Sequence, residues 1–191
     1  LILYRTCLWG IFAHGMMIFN KFSYHDDAGL FEYGLTYSLG RWMLGLIGDF
    51  VTFLFGSGYY SVPLFYGIFT IAFIAGITML LVDLFEIENK WLIIGLSGVM
   101  VAYPAITSTL GYMFVAPYFL FGMMVGVFGV CLACRSRKWY EVAAGLFLTC
   151  CSVGIYQAYI PNFLRVILFY AIKKTSETLI ANWIVFFLLA V

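Results

Sequence analysis

The 191-residue chain is 64% hydrophobic and only 10% charged, with a mean hydropathy of +1.02. A soluble domain carries about 25% charged residues, so this composition excludes a water-covered globule and makes lipid the solvent. The net charge of +1 gives no argument for a nucleic-acid partner, and the 20% aromatic share suits lipid and its interfaces.

A membrane span needs about 20 apolar residues. Leu1 to Phe19 meets this, with Arg5 near its start and His14 inside, where a histidine is expected to hydrogen-bond a neighbouring helix. Polar chemistry then concentrates between Phe19 and Phe50: His25, the adjacent acids Asp26 and Asp27, Glu32, the Gly40-Arg41-Trp42 triplet and Asp49. Within that stretch Leu39, Trp42, Met43, Leu46, Ile47, Phe50, Phe53 and Leu54 recur at three- and four-residue steps. Arg41, Gly45, Gly48, Asp49 and Thr52 fall on the other side. The pattern predicts an amphipathic helix lying in the membrane interface, and a helix packed into a bundle shows the same pattern.

Gly56-Ser57-Gly58 and Pro63 divide the next uncharged run, which places a second span over about Ser61–Leu84. A charged hinge, Asp83 to Lys90, follows. Trp91 to Cys134 holds no charged residue. One helix of that length would be about twice the roughly 30 Å hydrocarbon core, so two spans are expected, broken at the polar Thr107–Tyr112. Arg135, Arg137 and Lys138 form a basic cluster, and a fifth span runs from Tyr140 to about Gln157. The polar, aromatic turn Tyr156–Asn162 leads into a short sixth span ending at Lys173-Lys174, and a seventh begins near Leu179. The expected architecture is an all-α, polytopic membrane bundle of six to seven spans plus an interfacial amphipathic helix. Residues 1–191 read as a single transmembrane domain. A start at Leu1 and an end inside an apolar run read as the N-terminal part of a longer chain.

Basic loops face the cytoplasm. With Arg135, Arg137, Lys138, Lys173 and Lys174 inside, the stretch from Asp26 to Asp49, the Thr107–Tyr112 break and the Tyr156–Asn162 turn gather on the outer face. Adjacent carboxylates there suit a general base or a metal ligand, because two neighbouring acids push one pKa up and leave the other ionised. Asp27 also precedes a plausible helix and suits an N-cap. His25 beside the two acids leaves a divalent metal open. Arg41 suits a lipid-linked phosphate, since a guanidinium binds oxyanions bidentately. It equally suits snorkelling to headgroups, and Asp49, two turns later on nearly the same side, is either its structural partner or a second polar site group. Tyr156, Gln157 and Tyr159 offer phenol and amide groups beside aromatic faces, which a sugar ring needs, though the aromatic belt of a membrane protein accounts for the tyrosines too. Cys131 and Cys134 form a C-x-x-C, but no second Cys or His pair completes a metal site. They read as small apolar residues at the end of a span.

The order of these features resembles the bacterial type II glucosyltransferases. A first span leads to an outer acidic pair, then to G-R-W opening an amphipathic helix, and later to Y-Q-A-Y at the outer end of a span. These Gtr-type membrane enzymes are similar in layout to the wider GT-C glycosyltransferases. The resemblance implies a hexosyltransferase moving glucose from a polyprenyl-phosphate-linked donor to a saccharide acceptor on the cell-surface glycan. It implies work at the extracytoplasmic face of the bacterial plasma membrane. By position, Asp26 or Asp27 would be the base, Arg41 would meet the donor phosphate, and Tyr156 and Gln157 would be sugar-site residues. No cofactor is implied with certainty. The rival class is a transporter or flippase for lipid-linked sugars, which would place ionisable groups near the bilayer midplane and break helices there.

Overall fold

The computed structural model describes residues 2–20, 33–56 and 62–175, and all their regular structure is helical. The helices are α1 (Ile2–Phe19), α2 (Tyr33–Ser38), α3 (Trp42–Phe55), α4 (Pro63–Leu84), α5 (Lys90–Ala102), α6 (Pro104–Gly111), α7 (Ala116–Arg135), α8 (Trp139–Ile155) and α9 (Ile160–Thr175), with a 3-10 turn at Gln157–Tyr159 between the last two. Their ends follow local chemistry. Pro63 opens α4 at its first position, where its missing N–H costs nothing. Asn89 caps α5 by accepting from the Trp91 and Leu92 amides. Gly56 closes α3 at φ +74°.

α1, α4 and α7 are long and apolar enough to cross a membrane, and the bent pair α5–α6 makes a fourth candidate. This is fewer than the six to seven spans expected. α8 has 17 residues and is about 25 Å long, short of a roughly 30 Å core. α9 is shorter still, and the seventh span expected from Leu179 lies outside the described residues. The break between spans expected at Thr107–Tyr112 falls at residues 112–115, between the bent pair α5–α6 and α7. Helix continues through Gly111, and the Thr109 hydroxyl donates to the Ala105 carbonyl at 2.8 Å, so the polar side chain is satisfied within its own helix. An additional bend, within the candidate span, comes at Tyr103, which is extended (φ −60°, ψ 135°) because a residue before proline is driven out of the helical region. α5 and α6 meet there at 41°.

The core lies among α4, α5, α7 and α9, with Ile74, Leu81, Val101, Leu120, Val127 and Phe163 nearly inaccessible. α7 and α8 pack most extensively. A Cβ on Gly129 would come within 2.5 Å of the Gly145 carbonyl oxygen, and the reverse also holds, so the two backbones are in direct contact. α1 joins through His14, whose buried Nε2 donates to the Val101 carbonyl at 2.9 Å, the helix-to-helix bond expected of it. Large apolar side chains point outward, with Phe12 92% and Phe53 84% exposed. Such an exterior suits an apolar solvent.

The two ends of the bundle differ. At one end Arg135 pairs with Asp83, and Lys173 donates to Glu86 at 2.8 Å and to the Phe85 carbonyl at 2.7 Å. The hydrogen bond and charge of Lys173 hold the Glu86 carboxyl below its ordinary value. At the other end the α2–α3 turn, the start of α7 and the α8–α9 turn come together.

Candidate functional site

The α2–α3 turn is built by a glycine. Gly40 has φ +74°, and its amide donates to the Tyr37 carbonyl at 2.9 Å while the Arg41 amide donates to the Thr36 carbonyl at 3.0 Å. This is a Schellman closure of α2, and it turns the chain so that Arg41 stands immediately before α3. Arg41 is thus the N-cap residue of α3 and not within it. Its carbonyl accepts from the Gly45 amide at 3.1 Å, one turn along on the side the periodicity gave both. α3 itself turns Leu44, Gly45 and Gly48 inward and packs on α8, while Leu46, Phe50, Phe53 and Leu54 face out.

The α8–α9 turn meets this one residue by residue. The Gln157 side-chain nitrogen donates to the Leu39 carbonyl at 2.9 Å, and a Cβ on Gly40 would lie 2.8 Å from that nitrogen. Arg41 places its guanidinium carbon 4.9 Å from the Tyr156 ring centroid and 5.9 Å from that of Phe119, within cation–π range. The Trp42 ring lies against Gly154, which has no side chain to obstruct it. Phe119 and Tyr156 stack at 5.1 Å, and the buried Tyr159 donates its hydroxyl to the Phe119 carbonyl at 2.8 Å. Burial holds the Tyr159 phenol well above its ordinary range, so it stays a neutral donor. The G-R-W and Y-Q-A-Y motifs are thus one assembly.

Behind the Phe119–Tyr156 pair opens a cavity of about 460 Å³, a size common for small-molecule sites. Its polar lining comes from Tyr103, Ser108, Thr109, Tyr156, Asn162 and Arg165, and its apolar wall from Ile77, Met100, Leu120 and Met123. Of the expected sugar residues, Tyr156 and Tyr159 line this cavity and Gln157 does not; the Gln157 amide nitrogen is engaged on the α2–α3 turn. Arg41 sits on the other side of Tyr156, and its Nε is buried with no hydrogen-bond partner. Asp49 is not its partner: Asp49 accepts from the Tyr37 hydroxyl at 2.9 Å. Asp26, Asp27, His25 and Glu32 lie outside the described residues, and the metal reading that depended on the first three lies there with them. Among the described residues no cluster of three His, Cys, Asp or Glu is placed to hold a metal. Cys131 is buried in α7, its sulfur 3.9 Å from the Leu80 carbonyl oxygen.

The sequence reading passed over Arg165, Asn162 and Tyr103. Arg165 carried a usable signal, because a charged residue within an apolar segment is itself a site hypothesis. Asn162 ended the polar Tyr156–Asn162 turn already placed on the outer face, whereas Tyr103 carried no signal until the helices were packed.

A helical chain with an apolar exterior and helices long and apolar enough to cross a bilayer is a membrane-associated protein. The chain belongs to the GtrII glucosyl transferase family, whose model matches residues 15–189. No curated protein and no solved structure matches it. Membership carries glucosyl transfer, and with it a sugar donor and an acceptor.

Proposed function

We propose that the chain transfers a hexose, glucose by family, from a polyprenyl-phosphate donor to a cell-surface glycan at the extracytoplasmic face of a bacterial plasma membrane, as a GT-C-type enzyme. The observation that carries this reading is the Arg41 guanidinium, stacked on Tyr156 beside a polar-lined cavity, with a buried Nε that has no hydrogen-bond partner. A guanidinium in that state is ready for an oxyanion. A lipid-linked donor cannot leave the bilayer and a saccharide acceptor cannot enter it, so a site at one end of the spans meets both needs. The basic residues at the opposite end support the outward orientation through the positive-inside bias.

In the proposed reaction the acceptor hydroxyl oxygen attacks the anomeric carbon of the donor sugar. The bond from that carbon to the phosphate oxygen breaks, and polyprenyl phosphate leaves with the bonding electrons. Asp26 or Asp27 takes the hydroxyl proton. Arg41 offsets the charge that develops on the departing phosphate. Tyr156, Tyr159 and Gln157 form or support the sugar-facing wall.

The test is transfer from radiolabelled polyprenyl-phosphate glucose by the full-length protein in membranes. Asp26→Asn and Asp27→Asn should both insert, and at least one should lose about 10²- to 10⁴-fold in rate, the usual worth of a positioned base. Full activity in both single variants and in the double variant would remove the carboxylates from the mechanism.

A further inference from the structure

We infer that Arg165 holds the anionic group of a ligand inside the cavity, and that this group is a phosphate ester carried on a lipid chain. The inference deepens the glycosyl-transfer reading of the same cavity and rests on it. Arg165 lies five residues beyond Ile160, the first residue of α9, so it sits about 7 Å along the helix from the site end. The cavity it lines has a mixed wall: Ile77 from α4, Met100 from α5 and Met123 from α7 are apolar, while Ser108, Thr109 and Asn162 are polar. At the other end of the bundle Arg135, Lys138 and Lys173 each answer an acid. Among the described residues no hydrogen bond or ion pair reaches Arg165. Arg165 is exposed and lines the cavity, and a guanidinium within an apolar segment of a membrane protein, without a carboxylate, is costly unless it serves an anion or a water path.

The surroundings narrow the anion. Asn162 is three residues before Arg165 on the same helix, hence on the same face, and it lines the cavity with Ser108. An amide and a hydroxyl beside a two-pronged guanidinium match a tetrahedral oxyanion with several acceptor oxygens. Ile74, Ile77, Val99, Met100, Leu120 and Met123 supply apolar surface next to that position, which inorganic phosphate would not use and the first carbons of a lipid chain would. Arg41 lies over the ring of Tyr156, a residue that also lines the cavity, so a second guanidinium stands one aromatic ring away from the cavity.

The test is binding of a short-chain polyprenyl monophosphate to the full-length protein in phosphatidylcholine nanodiscs, with the uncharged polyprenol as control. The wild type should prefer the phosphate. Arg165→Gln should weaken phosphate binding at least tenfold and leave polyprenol binding unchanged. Arg165→Lys keeps the charge and loses the two-pronged geometry, so it should weaken phosphate binding severalfold whether or not the glutamine variant folds. Wild-type phosphate binding by the lysine variant and by any folded glutamine variant would overturn the inference. Equal displacement of the ligand by phosphatidylglycerol would also overturn it, by assigning the position to bulk headgroups. A wild type that binds the phosphate through Arg165 yet transfers no glucose would overturn the donor reading instead and leave the phosphate site standing.

Discussion

At the scale of single residues, the polar groups in this chain are placed by what they can pair with. His14 is 2% exposed within a span and gives its Nε2 proton to the Val101 carbonyl. A carbonyl can only accept, which sets the tautomer. Its Nδ1 is buried with no hydrogen-bond partner. His14→Phe keeps the volume and removes the donor, leaving the Val101 carbonyl without its side-chain partner. It should cost about 1–3 kcal/mol, read as a lower unfolding midpoint in detergent, while glucose transfer per folded molecule stays unchanged. The helix-to-helix role of His14 was legible from its lone position in an apolar run, although the carbonyl that receives it was not. The pairing of Gln157 with Leu39 was illegible, because 118 residues separate the partners and nothing local to either predicts the other.

At the scale of elements, α7 and α8 pack most extensively because glycines let their backbones touch. Gly129→Ala would push a methyl group to 2.5 Å from the Gly145 carbonyl oxygen. Backbone oxygen cannot swing aside as a side chain would, so the helices must separate. The expected loss is about 1–3 kcal/mol, the usual penalty for overpacking, and it should appear in unfolding in detergent. Transfer activity should fall with it, since Tyr156 ends α8 and Phe119 lies near the start of α7. The amphipathic pattern over residues 39–54 was legible as a helix, but its orientation was not. Period alone cannot say which face meets protein when the solvent is itself apolar, and here Gly45 packs on Tyr37 of α2 and Trp42 on Gly154 of α8 while the phenylalanines face out. Proline chemistry likewise added a bend that polarity did not announce in the run from Trp91 to Cys134. Tyr103-Pro104 bent the helix, whereas the threonines of α6 were absorbed into it.

At the scale of the whole molecule, the described ion pairs gather at one end of the bundle and the aromatic-lined cavity lies at the other. The opposed ends give a direct check on orientation. In a background without reactive cysteines, Glu88→Cys and Arg137→Cys should label only after the cells are permeabilised. Ile160→Cys should label on intact cells, read with a membrane-impermeant maleimide. Labelling of all three from one side would refute the opposed arrangement of the two ends. The candidate sites read from sequence divide in the same spatial way: Arg41, Tyr156, Gln157 and Tyr159 are gathered at the cavity end, while Asp26 and Asp27 stay outside the described residues.

By itself the sequence determined the solvent, the helical class and the family. Hydropathy, charge scarcity and short motifs are sums over local residues and need no packing to be read. The tertiary structure decided which motif residues meet, that Arg41 stacks on Tyr156 instead of pairing with Asp49, and that Arg165 reaches a cavity. Those facts depend on helix rotation and on contacts between segments far apart in the chain. In an apolar solvent the hydrophobic pattern that would otherwise announce each inward face is silent.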